Sequence, residues 1–149
     1  MNESINTSFL VMMVAILITI ISVLMIAFFS YSRAYKTKNK MVDIIEKYNG
    51  YTNEAKKEIE QYLKDVGYNV RRTESSCPKY NGKTSIDHSS SYAYCVYKFS
   101  TKKKDSSTGK EYSSGYYYTV HIFVNINLPL INDFVELKVK GQSRTIYDI

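Results

Sequence analysis

FLVMMVAILITIISVLMIAFF, residues Phe9 to Phe29, is a run of 21 residues without a charge, and its reading decides the architecture of everything that follows it. At a helical rise of about 1.5 Å per residue it spans about 30 Å, the hydrocarbon thickness of a bilayer. Only Thr19 and Ser22 are polar, and each hydroxyl is placed to bond back to a carbonyl one turn earlier. The expectation is one bitopic transmembrane helix over 9–29 behind a short tail over 1–8. A cleavable signal peptide is the rival reading, with Ser30 and Ser32 as small residues before the cut. It fits less well, because residues 1–8 carry no Lys or Arg and the run exceeds the usual apolar region of about 7–15 residues.

Outside this segment the composition changes. Hydrophobic residues make up 44% of the 149, charged residues 23%, and the net charge is +6, yet all 20 Lys and Arg and all 15 Tyr lie beyond residue 29. The 120 residues that remain are enough for one modest core and not for two. So uneven a distribution excludes an ordinary cytosolic enzyme, a disordered tail and a polytopic transporter.

Beyond Phe29 the apolar positions Tyr31, Ala34, Tyr35, Met41, Val42, Ile45 and Tyr48 keep three- and four-residue spacings. The helix is therefore expected to continue as an amphipathic stem within residues 30–50, ending at Asn49-Gly50. Thr52 is placed to cap a second helix whose apolar face is Ala55, Ile59, Tyr62, Leu63 and Val66, with Gly67 as its stop. After Gly67 the period changes to 2. Strands are expected over 68–73, 92–99, 117–126, 134–140 and 144–147, with loops over 75–91 and 102–115. The predicted fold class is α+β: the transmembrane helix and its stem, a second short helix, and a four- or five-stranded, mainly antiparallel sheet. Residues 51–149 are expected to form one small extracytoplasmic α+β domain.

Two signals disagree on orientation. Arg33, Lys36, Lys38 and Lys40 follow the apolar run, where they meet anionic headgroups, and by the positive-inside rule they hold the C-terminal side in the cytoplasm. Cys77 and Cys95, the only cysteines, read as one disulfide, which needs an oxidising compartment. Placement outside is preferred, with two unpaired thiols in a cytoplasmic domain as the alternative.

No catalytic constellation is present. His88 and His121 belong to no nucleophile, metal-protease or phosphate-loop motif, and a Cys77, His88, Cys95 zinc set lacks a fourth ligand and a common spacing. The expectation is a non-enzyme with no cofactor, no nucleic acid partner, and the lipid bilayer and other subunits as its contacts. Candidate interaction residues are Tyr92, Tyr94, Tyr97 and Tyr117, part of an aromatic ladder with Tyr116 and Tyr118 or simply sheet packing. Lys102, Lys103 and Lys104 read as an anion-binding loop tip or as solvated charges that resist edge pairing.

A short N-terminus, an apolar helix running into an amphipathic stem, and a small sheet domain with a two-cysteine loop together resemble pilin-like proteins, most nearly the TadE-like pseudopilins of bacterial tight-adherence systems. The resemblance covers the whole chain in layout. It implies that the apolar half-helix packs in the membrane before assembly and in a filament core afterwards, with the sheet outward. The chain departs from the family at Ser8, where a prepilin cleavage site has Gly or Ala, and at Glu3, which lies ahead of the apolar run. The resemblance thus implies a pilin-like subunit of a surface filament or secretion apparatus. The alternative is a bitopic protein whose basic, Tyr-rich domain binds an anionic surface polymer or serves as a scaffold in a secretion or conjugation machine.

Overall fold

The structure, a computed structural model, describes residues 2–68, 77–89, 94–104, 109, 111–127 and 134–147. Helix α1 (Asn2–Lys47) is one unbroken helix of 46 residues, because no Pro or Gly occurs anywhere in it. It ends where Asn49 and Gly50 take positive φ angles of 49° and 147° and turn the chain off the helix axis. Thr52 then caps helix α2 (Asn53–Asp65), its hydroxyl accepting from the Ala55 amide at 3.2 Å.

The sheet is antiparallel in the order β1-β2-β3-β4. Three long strands, β2 (Tyr94–Lys104), β3 (Glu111–Asn127) and β4 (Phe134–Gln142), carry it, and the three-residue β1 (Asp87–Ser89) extends one edge. The α+β class is as expected, with fewer full strands. The expected strand over 144–147 is a single bridge, Tyr116 to Ile146, and that over 68–73 lies outside the described residues apart from Tyr68. The expected loop over 102–115 is largely strand. Lys102, Lys103 and Lys104 pair with Ser113, Tyr112 and Glu111, since strand pairing is made by main-chain groups and needs no apolar side chains.

The main core lies between α1, α2 and one face of the sheet. Tyr94 and Val96 of β2, Tyr118, Val120, Ile122 and Val124 of β3, and Val139 of β4 pack there against Ala55, Ile59 and Leu63 of α2. From the stem come Ala34, Thr37, Met41, Ile44 and Ile45. This stripe is rotated from the expected one: Tyr31 and Tyr35 are about half exposed, while Thr37 and Ile44 are buried. Successive helical residues turn by about 100°, so Tyr31 and Tyr35 fall on the flank of a face centred on Met41. Helix α2 runs back along one side of that face, with Lys47 on Glu58 at 2.8 Å. Strand β4 closes the other side at Gly141, where a Cβ would stand 2.6 Å from the Lys38 stem and 3.1 Å from Val42.

Candidate functional site

The most prominent surface is a bare one. From Phe9 to Phe29 nearly every large apolar side chain of α1 is exposed, and Thr19 and Ser22 donate to the carbonyls of Ala15 and Ile18 at 2.8 Å, so no hydroxyl is left unpaired. The first residue to touch the main core is Ala27. That leaves residues 9–26 uncovered, about 27 Å of helix at the standard rise. This is the chain's one helix, among the described residues, long and apolar enough to cross a membrane.

The basic residues that follow it are not equivalent. Arg33 donates to the carbonyls of Val66 and Gly67, satisfying the C-terminal end of α2 with a cation, and lies 6.0 Å from the Tyr68 ring. Lys38 lays its stem across Gly141 and holds its ammonium 4.1 Å from the Tyr35 ring. Lys36 and Lys40 stay exposed, and Lys40 faces Glu58, whose carboxyl is held below the usual range by Lys47 first and by Lys40 among the weaker causes.

The tyrosines fall on both faces of the sheet and do not form one ladder. Tyr94 and Tyr97 are buried, at 1% and 0% exposure, in two different cores, so neither offers a surface to a partner. Tyr117 is half-buried and stacks on Phe99 at 5.4 Å; Tyr116 meets Tyr118 edge-on at 5.7 Å on the opposite face. Alternation along a strand explains the split. Tyr92 lies outside the described residues.

The second core is the one the sequence did not announce. Cys95, Tyr97, Phe99 and Phe123 turn away from the helices and are covered by the segment that begins at Cys77. A Cys77–Cys95 disulfide, with Cα atoms 5.9 Å apart, ties that segment to β2. It also consumes both thiolates that a Cys77, His88, Cys95 zinc set would need. Tyr80 lies edge-on to His121 at 4.5 Å and to Phe99 at 5.8 Å, the Tyr97 hydroxyl donates to Pro78, and Lys140 donates to the Tyr80 hydroxyl. The strand alternation and the cysteine pair were the signals, but nothing local says that a loop folds over the outer face.

His121 is fully buried in this second core, and neither ring nitrogen has a hydrogen-bond partner among the described residues. Burial, reinforced by Lys138 and Lys140 on β4, pushes its pKa down to about 4, so the ring is neutral at pH 7. An unfolded chain binds this proton near pH 6.5. Stability is therefore complete above that value and lost as pH falls toward 4, by about 3 kcal/mol for this one group. The comparison that checks it is chemical unfolding of the wild type and of His121→Leu between pH 4 and 7, where the variant's curve is expected to be flatter by that amount.

Beside the same loop lies an open groove of about 500 Å³. Lys79 and Lys83 line it from the loop and Lys98 and Ser100 from β2, with Thr84 and Ile86 between them. Lys79 and Lys83 flank a two-residue turn in which Asn81 and Gly82 both have positive φ (47° and 74°) and Tyr80 and Lys83 exchange both main-chain hydrogen bonds. Lys102 and Lys103 are not part of the groove; they are exposed on β2, and Lys102 pairs with Glu111 at 3.2 Å. Lys104 pairs through its backbone at the end of the strand.

These features define an α+β protein with one membrane-length helix and a disulfide-tied sheet domain. No family model, curated protein or solved structure matches the chain.

Proposed function

We propose that the chain is a non-enzymatic, membrane-anchored pilin-like subunit of a bacterial surface filament or secretion apparatus, with its sheet domain outside the cytoplasm. The observation that carries this reading is the division of α1: one unbroken helix whose first half is bare and apolar and whose second half is built into the core of the domain. A stem locked to the sheet at Ala34, Met41 and Ile45 fixes the domain to the helix, so neighbouring helices that pack together also set the spacing of their domains. Lipid provides no hydrophobic force between such helices, and close side-chain packing must supply it. The Cys77–Cys95 bond supports the outward placement, because thiols in the cytosol are kept reduced. Arg33 and Lys38 have structural partners that account for their presence beside the helix without an orientation signal.

Single cysteines introduced in turn along residues 12–26 test the reading. In the assembled state, oxidation is expected to give disulfide-linked dimers, since each subunit offers one free thiol, strongest at positions spaced three, four and seven residues apart. A scaffold working as a lone bitopic subunit would give no crosslink anywhere along the segment, and that result would refute assembly through α1.

A further inference from the structure

We propose that the groove beside the disulfide-tied turn binds a linear polyol-phosphate polymer of the cell surface, one chain at a time. The inference rests on the outward placement of the domain, since that polymer is met only there. Three cationic side chains from two separate elements, Lys79 and Lys83 on the turn and Lys98 on β2, line one recess whose described lining holds no carboxylate. Thr84 and Ser100 add hydroxyls suited to a polyol, and Ile86 adds an apolar contact.

The turn is held in place before any ligand arrives. Cys77 is bonded to Cys95, Pro78 accepts from the Tyr97 hydroxyl, and Tyr80 is wedged against His121 and Phe99. A preorganised set of cations loses less on binding than lysines on a loose loop.

The surroundings favour this polymer over nucleic acid. Bases bound as single strands stack on aromatic faces. The groove's described lining presents no aromatic ring, and the Phe99 and Tyr116 rings outside it already face cations, with the Lys83 ammonium 5.6 Å from the first and that of Lys98 3.8 Å from the second. A duplex is read by elements that protrude into its grooves, not by a recess of about 500 Å³.

Full-length protein in a neutral detergent, titrated with synthetic poly(glycerol phosphate), tests the proposal. Binding is expected to weaken with salt at a log–log slope of about −2, as for three neutralised phosphates on a flexible chain. Combining Lys79→Gln, Lys83→Gln and Lys98→Gln is expected to weaken it at least about tenfold, while Lys102→Gln with Lys103→Gln changes it by less than about twofold. Lys79→Gln with Lys83→Gln alone, both on the exposed turn, gives an intermediate loss and guards against misfolding of the triple variant. Absent or salt-insensitive binding overturns the proposal, as do equal losses in the groove and control variants, or a thymidine oligonucleotide binding as tightly as the polymer. These titrations need no assembly and the helix crosslinks need no polymer, so failure of polymer binding is distinguishable from failure of assembly through α1.

Discussion

Gly115→Ala is expected to destabilise the sheet domain by about 3 kcal/mol, through backbone strain and overlap together. Gly115 lies in β3 beside an irregularity in the ladder, where Thr101 pairs with Gly115 and Lys102 with Ser113, leaving Ser114 as the extra residue. The backbone there has φ of 153°, a region that L side chains rarely adopt. A Cβ at this position would stand 2.6 Å from the Ile146 carbonyl oxygen and 3.0 Å from the Thr145 side chain. The carbonyl belongs to the bridge that joins Tyr116 to Ile146 and brings the C-terminal segment onto the sheet, so it has no freedom to retreat. Gly82→Ala is the internal control. Its φ is also positive, at 74°, but nothing lies within 4 Å of the added methyl, and a loss of only about 1 kcal/mol is expected. Denaturant unfolding followed by tyrosine near-ultraviolet circular dichroism measures both; equal losses would show that close packing at Gly115 contributes nothing.

Removing the disulfide is expected to have an effect of similar size by a different route. With Cys77 and Cys95 separated by 18 positions in the sequence, the chain-entropy account gives about 3 kcal/mol for the crosslink. The bond also holds the only described segment that covers Cys95, Tyr97, Phe99 and Phe123. Cys77→Ala with Cys95→Ala should therefore lower the unfolding midpoint and also let water reach His121, whose pKa is then expected to rise from about 4 toward its ordinary value. Proton titration of His121 by NMR reads the second effect separately from the first. An unchanged pKa would mean that Tyr80 stays on His121 without the crosslink. Alkylation of the unreduced native protein gives a simpler check: no mass shift is expected at either cysteine.

The parts of the fold legible in the residues were those with a local physical cause. Continuity of α1 followed from periodic apolar positions without Pro or Gly, the start of α2 from Thr52, and the two faces of β3 from alternation between Tyr117 and Val124. The full extent of β2 is not legible in the residues, because the polarity of Lys102 to Lys104 predicts a loop, whereas strand pairing there is made by main-chain groups. For Tyr94 and Tyr97 the residues alone leave surface and sheet packing both open, because the polar tip of tyrosine permits exposure; the structure takes the packing alternative, with both rings filling space.

By itself, then, the sequence determined that a membrane-length helix runs on into a stem and that a small α+β region with a two-cysteine loop follows it. Only the tertiary structure decided which side of the stem is buried, since that depends on α2 and β4 approaching from opposite flanks of Met41. It also decided that both faces of the sheet are covered and that Lys79, Lys83 and Lys98 share a groove. The reason is one of range. Helical and strand periods are set within a few residues by backbone geometry, while a loop folded over a sheet depends on contacts made across the chain, and no local pattern encodes its direction.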